Sequence, residues 1–442
     1  MKKALIILFY WPPGGGSSVQ RWLHFSNYLP EHGWEPIVYI PANAQYPETD
    51  NSLENRIRST TKIIRKKIFE PYNLYRKFTG ISQGNNLPSG MTLKEKPGSI
   101  ARIRNDISLW IRGNFFIPDA RMFWIKPSVT FLKRFLHTEK VDLIITTGPP
   151  HSLHLIGYHL NKNTKIPWIA DFRDPWTKID FYSELKLTRL ADRYHHHLER
   201  KVLQNANLII TVGEDMKKEF IAKGANNVEV ITNGYDEEDL PKEKAIPDNK
   251  FSLLHIGTFS RTRNSEALWR AIQEILSENP DFQSDLEIKL IGNVDYSVIQ
   301  SIEENNLKPY LHHIHYLPHQ EAMKAAHSAQ VLLLMINRSE NAKGILTGKF
   351  FEYLTTGRPI LLIGPTDGDA AKILKETETG KEAAFEDMAS IKQIIIEFYQ
   401  RYRHNNLFVN GRGIENYSRK TLTEKLAGLM DYATMKDQFK QE

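Results

Sequence analysis

The sequence lacks cysteine altogether, which excludes disulfides and thiolate metal sites and fits a reducing compartment. It contains no apolar run long enough to span a bilayer. It also has no DxD element, no Walker loop and no HExxH motif, so no metal site is predicted. The N-terminus MKKALIILFYW has the lysines and apolar run of a secretory signal but no small-residue cleavage site. We interpret it as a first buried strand and expect a cytoplasmic protein.

The chain has 442 residues, which is too long for one ordinary core and predicts two domains. Its positive charge is concentrated in residues 55–112, which contain thirteen Lys and Arg residues and three acidic residues. That segment is therefore +10 (13 − 3), and since the whole chain is +6, the remainder is −4. We expect this basic segment to lie near negative charge.

Short β-branched runs recur along the chain, each followed by a stretch of helical length. Runs that are apolar on both faces are typical of parallel strands covered by helices, so the alternation predicts doubly wound α/β domains. The runs lie at 4–10, 36–40, 141–147, 166–172, 208–212, 228–232, 251–257, 286–292, 331–336 and 360–363, with a shorter one near His315.

The polar, proline-containing stretch 233–250 separates two groups of strands. We therefore expect an N-terminal Rossmann-like domain at 1–235 and a C-terminal one at 236–419. The segment from Lys420 to the end reads as an amphipathic helix that packs on either domain.

Residues 45–140 interrupt the alternation of strands and helices, as a functional insertion or flap does. This insertion mixes basic and large apolar residues, as in KIIRKKIFEPYNLYRKF. Two interpretations stay open: a solvated surface helix with one core-facing stripe, or a patch for anionic lipid headgroups or a lipid-linked acceptor. Nucleic acid is disfavoured because no binding module accompanies the charge.

Glycines follow the first predicted strand in the stretch LFYWPPGGGSSVQRW. Gly14, Gly15 and Gly16 lack the Cβ that keeps backbone N–H groups away from a phosphate or sugar. The pattern is not GxGxxG, so a glycine-rich turn without a ligand is an equal alternative.

Polar side chains leave two other strands of the first half, in TTGPPHSLHL and IPWIADFRDPW. Asp171, Arg173 and Asp174 follow one strand, and His151 follows the other. Such groups bind sugar hydroxyls or assist proton transfer. The structural alternative is an Arg173 ion pair that caps a neighbouring helix.

The second half offers a candidate anion site in two parts. HIGTFSRTRN ends a strand with Gly257 and then supplies Arg261 and Arg263. KGILTGKFFEYLTTGRPILLIG predicts a helix that begins at residues 347–349. Glu352 lies one turn inside this helix, and Gly357 with Pro359 ends it. A helix N-terminus with basic side chains suits a diphosphate, and the glutamate suits ribose hydroxyls. The three helix-start residues are Thr347, Gly348 and Lys349.

The run His195–His196–His197 invites a metal interpretation, which the helical geometry excludes. Consecutive helical residues point in different directions and do not converge on one ion. We interpret them as surface histidines.

In this order the motifs resemble the two-domain GT-B glycosyltransferases, specifically the retaining family 4 type of bacterial surface polysaccharides. The resemblance covers nearly the whole chain. It implies two Rossmann-like domains facing across a cleft. The segments that carry it are PPGGG, IPDARMFW, TTGPPHS, IPWIADFRDPW, TNGYD, YLPHQEAMKAAHSAQVLLL and GKFFEYLTTGRPIL.

The resemblance also assigns roles. It places Arg263, Gly348 and Lys349 on the donor diphosphate, and Glu352 matches the second glutamate of the family's E-x7-E motif, which holds the ribose. The first glutamate is replaced by Gly344, which leaves the donor sugar undefined. The glycine loop corresponds to the acceptor-side loop. Asp171, Arg173 and Asp174, together with His151, lie on the catalytic side.

The implied reaction transfers a sugar from a nucleotide-diphospho-sugar to an acceptor hydroxyl with retention of configuration, without metal or other cofactor. The departing phosphate takes the acceptor proton while Asp174 or Asp171 orients the hydroxyl. The expected location is cytoplasmic or peripheral on the inner face of the membrane. Two alternatives are a nucleotide-sugar 2-epimerase of the same architecture and a nucleotide-sugar-binding subunit without turnover.

Overall fold

The computed structural model describes residues 1–46, 48–69, 107, 109–241 and 245–438. Its described residues form two compact units. Unit 1 contains those up to Thr232 and those from Arg419 onward, and unit 2 contains those of Asn233–Ser418.

Unit 1 is built on a seven-stranded, fully parallel sheet in the order β3-β2-β1-β4-β5-β6-β7. Successive residues of its first strand enter opposite cores, since Leu5 and Ile7 pack in one cluster and Ala4 and Ile6 in the other. The sheet is therefore covered on both faces, as doubly wound folds require. The strands are β1 (Lys2–Ile7), β2 (Trp34–Pro41), β3 (Lys62–Lys66), β4 (Leu143–Gly148), β5 (Trp168–Phe172), β6 (Leu208–Thr211) and β7 (Val228–Val230).

The helices of unit 1 lie between these strands, and the last one returns to the unit from the far end of the chain. That final helix buries Leu422, Leu426 and Met430 in the same cluster as Ala4. The helices are α1 (Ser17–Tyr28), α2 (109–115), α3 (Met122–Thr138), α4 (Ser152–Thr164), α5 (Arg189–Asn205), α6 (Glu214–Ala222) and, at the C-terminus, α14 (Arg419–Gln438).

Unit 2 repeats the topology with six parallel strands in the order β10-β9-β8-β11-β12-β13. The strands are β8 (Phe251–Ile256), β9 (Leu286–Ile291), β10 (Leu311–Ile314), β11 (Val331–Met335), β12 (Ile360–Ile363) and β13 (Gly380–Ala383). The helices are α7 (Glu266–Glu278), α8 (Pro280–Asp285), α9 (Tyr296–Glu304), α10 (His319–Ser328), α11 (Gly348–Leu354), α12 (Asp369–Thr377) and α13 (Met388–Arg403).

The predicted α/β class with two doubly wound sheets is confirmed, and each predicted run overlaps or adjoins a strand. Two edge strands were missed. β3 lies inside the segment interpreted as an insertion and reads KIIRK, and β13 reads GKEA. Charged residues and short length are common at sheet edges, where one side of the strand is unpaired. Residues 70–106 and 108 of the predicted basic patch lie outside the described residues.

The strand order reverses between β1 and β4 in unit 1 and between β8 and β11 in unit 2. In open parallel sheets, ligands bind beyond the carboxyl ends of the strands at such a reversal. Among the described helices none combines the length and apolar character needed to cross a bilayer.

Candidate functional site

The carboxyl ends of β4 and β5 bring the first group of predicted residues together. The strands pair in register, with Thr147 opposite Asp171 and Gly148 opposite Phe172. A Cβ at Gly148 would lie 2.5 Å from Nε2 of His154 and 2.9 Å from Nδ1 of His151. Only glycine therefore lets the two imidazoles pack against the backbone at this strand end. We call the residues around these two strand ends the β4–β5 site.

Asp119, from the IPDARMFW segment, fixes the start of the helix that follows β4. Its carboxylate accepts hydrogen bonds from the backbone N–H of Ser152 at 2.8 Å and from the Ser152 hydroxyl at 2.7 Å. A carboxylate at a helix start satisfies free N–H groups and favours the helix dipole. This contact explains why two segments far apart in sequence belong to one site.

His151 is the residue immediately before α4 and is 7% exposed. Its ring stacks on the Trp176 indole with a centroid distance of 4.9 Å and an interplanar angle of 4°. Neither ring nitrogen has a hydrogen-bond partner among the residues that the structure describes. Burial, followed by the nearby His154, Arg173 and His195, lowers the pKa of His151 well below its usual value. The ring is therefore neutral near pH 7, with one donor and one acceptor available to a ligand.

Arg173 is held by backbone carbonyls at the end of β5. Its guanidinium donates to the carbonyl of Ser18 at 3.0 Å and to that of Pro149. It also lies over the ring of Tyr10, 5.6 Å from the centroid. These contacts hold the positive charge between the glycine-containing loop and the start of α4.

Asp174 is exposed to solvent, whereas Asp171, the other predicted carboxylate of this strand end, is buried. Loss of hydration among the surrounding protein atoms raises the pKa of its carboxyl, and the Arg173 guanidinium opposes that shift. An accessible carboxylate with a raised pKa is suited to accept a hydrogen bond from a hydroxyl group.

Asp171 requires a correction, because the structure gives it a structural role. Its side chain is fully buried and pairs with Arg21 through contacts of 2.8 and 3.2 Å. Trp22 donates to the same carboxylate at 2.8 Å, and Thr147 donates at 2.9 Å. Four donors thus occupy both carboxylate oxygens. The structural alternative was an ion pair of Arg173, whereas the arginine that pairs with Asp171 is Arg21 of α1.

The histidine run also requires a correction at its first member. His195 is 3% exposed and accepts a hydrogen bond from Nε1 of Trp176 at 3.1 Å, so it is not a surface residue. His196 is partly exposed, with its ring nitrogen 3.5 Å from Asp192. The described residues contain no cluster of three or more His, Cys, Asp or Glu that could hold a metal.

The predicted acceptor-side loop folds against the stretch that begins at Tyr46. The backbone N–H of Gly14 donates to Trp11 and that of Gly15 to Glu48, both at 2.9 Å. A Cβ at Gly14 would lie 3.0 Å from the Tyr46 ring, and Gly16 has a φ of 80°. Two of the three amides are therefore used within the protein, and the glycines serve close packing and a left-handed turn.

In unit 2 three of the predicted donor residues, Gly257, Arg263 and Lys349, lie together at the end of β8. Gly257 has a φ of 97°, and a Cβ there would lie 3.9 Å from Nζ of Lys349. The Lys349 ammonium donates to the carbonyl of Ile256 at 2.9 Å, and the Arg263 guanidinium donates to that of Thr258 at 2.6 Å. Two cations are thus anchored on the carbonyls that flank one glycine. We call this arrangement the β8 site.

The charge on Lys349 is costly in the protein without a ligand. Burial, followed by the nearby Arg263, lowers its pKa well below the usual value, and Glu352 acts in the opposite direction. No carboxylate lies within salt-bridge distance of its ammonium among the described residues. An anion arriving here would compensate both effects.

Further polar groups lie at the start of α11. The buried hydroxyl oxygen of Thr347 has no hydrogen-bond partner in the described ranges of the chain. Glu352 pairs through Oε1 with Nε2 of His319 at 3.0 Å. The helix spans only the seven residues Gly348–Leu354, so its dipole is a minor contribution beside the side-chain cations. Gly344 lies in a short 3₁₀ turn, Ala342–Gly344.

Several neighbours of the β8 site were not predicted from the sequence. The Lys349 ammonium also lies 3.2 Å from Nε2 of His255, and Arg263 donates from Nε to Asn337 at 2.5 Å. Arg261 is exposed and lies in the same 3₁₀ turn as Arg263. A histidine inside an apolar strand and an asparagine after another strand give no signal before the strands are aligned.

Part of the chain is similar in sequence to a known protein family. Residues 95–239 match the sequence model of glycosyltransferase family 4. No curated protein sequence matches the chain.

Three solved structures share the fold at low sequence identity. A mutant of S. aureus TarM, in complex with fondaparinux, alpha-GlcNAc-glycerol and UDP, superposes with a TM-score of 0.58 at 12% identity, over 97% of this chain and 100% of that one. Trehalose-6-phosphate from E. coli bound with UDP-2-fluoro glucose gives 0.59 at 10% identity, over 97% and 99%. A putative UDP-N-acetylglucosamine 2-epimerase from Listeria monocytogenes gives 0.53 at 11% identity, over 100% and 98%.

The fold and the family match together define the class: the chain has the GT-B glycosyltransferase fold. The match to the glycosyltransferase family 4 model covers residues 95–239. This segment includes the whole β4–β5 site apart from the contacts made by α1 and the glycine loop.

Proposed function

We propose that the protein transfers a sugar from a nucleotide-diphospho-sugar to an acceptor hydroxyl with retention of anomeric configuration, in the synthesis of a bacterial surface glycan or glycolipid. The observation that carries the proposal is the pair of cations at the β8 site, anchored on the carbonyls on either side of Gly257. Positive groups fixed by backbone atoms, with a nearby unpartnered hydroxyl, are suited to a diphosphate.

In this proposal Lys349 and Arg263 stabilise the negative charge that grows on the departing diphosphate. The Thr347 hydroxyl donates a further hydrogen bond to it, and Gly257 and Gly348 allow the backbone to approach. Removing one such preorganised donor typically raises a reaction barrier by about 3 to 4 kcal/mol. No metal is needed for this charge stabilisation.

The β4–β5 site is proposed to hold the transferred sugar and the acceptor. His151 contacts a sugar hydroxyl through its ring nitrogens, for which the described residues provide no partner. Asp174 orients the acceptor hydroxyl, and the departing phosphate takes the acceptor proton. The transition state has oxocarbenium character and therefore carries positive charge. Neutral hydrogen-bonding groups and a nearby carboxylate are both compatible with that charge.

The donor site is tested by calorimetry of the full chain with UDP, GDP and dTDP. Glu352→Ala should weaken nucleotide binding strongly if its carboxylate binds the ribose, whereas Glu304→Ala, an exposed glutamate of α9, should not. Equal affinity of the Glu352→Ala variant and the unaltered protein would contradict this assignment.

The reaction is tested by supplying nucleotide-sugars with and without acceptors and following the anomeric signals by NMR. Transfer with retention supports the proposal. Conversion of the donor without acceptor would instead support a 2-epimerase, whose architecture one structural neighbour shares. Binding without any turnover would support a nucleotide-sugar-binding subunit, the alternative suggested by Gly344. The family 4 match favours the transferase.

We also propose that an anionic membrane surface presents the acceptor to unit 1. Exposed aromatic rings form two pairs in the described part of the basic segment and next to it. Phe69 and Phe123 are 63% and 42% exposed with ring centroids 5.7 Å apart, and Trp110 and Phe115 lie 5.6 Å apart. Exposed aromatic and basic residues together favour a headgroup interface.

Liposome flotation tests this partner. Vesicles with anionic lipid should carry the protein at low salt and release it at high salt. A Phe69→Ser/Phe123→Ser variant should float less than the unaltered protein, while Phe408→Ser, an exposed aromatic of unit 2, should float equally. Absence of salt-sensitive flotation would remove the membrane proposal and leave the transferase proposal intact.

A further inference from the structure

His195 contacts the ring that covers His151. The Trp176 indole N–H donates to Nδ1 of His195 at 3.1 Å. An indole N–H is only a donor, so Nδ1 must accept and the neutral imidazole carries its proton on Nε2. That Nε2 faces the carbonyl of Gly113 at 3.5 Å. Burial lowers the pKa of His195, which favours this neutral form.

Trp176 connects His195 to the β4–β5 site. The indole is 2% exposed and stacks flat on the His151 ring. Since neither nitrogen of His151 makes a hydrogen bond within the described part of the chain, stacking and packing determine its ring plane. The hydrogen bond from Trp176 to His195 in turn anchors the indole at its N–H.

Glu199, one helical turn after His195, holds Thr177, which is the residue that follows Trp176. Its carboxylate, which is 1% exposed, accepts from the Thr177 backbone N–H at 3.2 Å and from the Thr177 hydroxyl at 2.7 Å. The Lys223 ammonium neutralises Glu199 at 2.8 Å and also lies 2.9 Å from the Thr177 hydroxyl oxygen. Residues four apart on a helix share one face. One face of α5 therefore contacts both Trp176 and Thr177, two consecutive residues that follow β5.

We infer that His195 and Glu199 are positioning residues, which hold Trp176 and Thr177 so that the indole fixes the ring plane of His151 toward the transferred sugar. The inference rests on the proposed function, because that function gives His151 its contact with the sugar. An imidazole that must direct both nitrogens at a ligand needs its plane fixed by packing. A purely structural helix face could have been filled with apolar side chains.

The consequence for kinetics differs from that of a general loss of stability. Because the proposed diphosphate contacts belong to unit 2, a loosened His151 should lower kcat and leave UDP affinity unchanged. His195→Leu, which removes the acceptor, should lower kcat about tenfold to hundredfold, as small misplacements at a reacting centre do. His195→Gln, which restores a side-chain oxygen acceptor, should recover part of that loss.

Two further variants separate positioning from folding. Trp176→Phe keeps an aromatic face for His151 but cannot donate to His195, so it should lower kcat in the same direction as His195→Leu. His196→Leu, the partly exposed neighbour on α5, should leave kcat unchanged. Thermal melting of each variant shows whether it is folded. If His195→Leu fails to fold, Trp176→Phe carries the test.

A readout that needs no turnover is the titration of His151, followed by NMR with ¹⁵N-labelled histidine. The titratable and charged groups near its ring are His154 on α4, Arg173 after β5 and His195 on α5. In Trp176→Phe these groups remain, but the smaller ring admits water to His151. Its pKa should therefore rise toward the usual value, and the acid limb of kcat should move to higher pH.

An unchanged His151 titration together with unchanged kcat in folded His195→Leu and Trp176→Phe proteins would overturn the inference. If the His151 titration shifts but the unaltered protein transfers no sugar from any donor, the positioning contact is supported and the proposed function is what fails.

Discussion

The strand ends of unit 1 and unit 2 share one topology but differ in how they use charge. In unit 1 the buried pair Arg21–Asp171 is satisfied within the protein, whereas the neutral imidazole of His151 has no hydrogen-bond partner among the described residues. In unit 2 the cations Lys349 and Arg263 are anchored on carbonyl oxygens. The same fold thus presents a neutral imidazole beside Arg173 and Asp174 in one unit and two cations in the other.

The difference shows that a charged residue at a strand end is not by itself a functional signal. Asp171 lies near the end of β5 and Lys349 near the start of α11, and in the sequence both look equally suited to chemistry. The carboxylate of Asp171 is fully hydrogen-bonded by four side-chain donors, whereas Lys349 contacts a carbonyl and a histidine nitrogen and its pKa is lowered. The number of satisfied hydrogen bonds separates the structural charge from the binding charge.

The largest effect is expected on stability in unit 1. Asp171→Asn leaves the buried Arg21 guanidinium without a counter-charge and should lower the free energy of unfolding by about 3 to 5 kcal/mol. Asp174→Asn, which changes an accessible carboxyl at the same strand end, should leave stability within about 0.5 kcal/mol and lower transfer instead. Urea denaturation measures both variants. Equal stability of the two would contradict the structural role given to Asp171.

The next largest effect is expected on the catalytic rate, with no change in affinity for the donor. His151→Ala removes the proposed sugar contact and should lower kcat about a hundredfold, while UDP binding measured by calorimetry stays the same. His159→Ala, an exposed histidine on the same helix, is the control and should behave like the unaltered protein. A large loss of UDP affinity in His151→Ala would remove the division of roles between the two strand ends.

The opposite result is expected in unit 2. Lys349→Met preserves the length of the side chain but removes its charge, so UDP should bind about ten- to hundredfold more weakly, as for a lost charged hydrogen bond. Lys250→Met, at an exposed lysine before β8, should bind UDP normally. If both variants bind equally well, the β8 site is not where the diphosphate lies.

The smallest effect is a pH dependence of UDP binding. Burial and Arg263 lower the pKa of Lys349 in the free protein, and a bound diphosphate would raise it. Binding then takes up protons, so affinity is full below the free-protein pKa and falls as pH rises through it. Calorimetry in buffers of different ionisation enthalpy should detect the uptake. Lys349→Met should abolish it.

Much of the fold followed from the sequence, because parallel strands buried on both faces are read from local apolar runs. The edge strands did not, since β3 and β13 carry the charged residues that sheet edges tolerate. The candidate donor residues were likewise identified from local motifs. Their anchoring contacts, such as Arg263 with Asn337, join residues 74 positions apart and had no local signal.

The sequence by itself determined the two doubly wound sheets and the groups that follow their strands, because strand periodicity and glycine-containing turns are local properties of the chain. Only the tertiary structure decided which of those groups are satisfied. The Arg21–Asp171 pair spans 150 positions, and the burial of His195 depends on the face of α5 that meets Trp176. Hydrogen-bond satisfaction is set by neighbours in space, which no local pattern encodes.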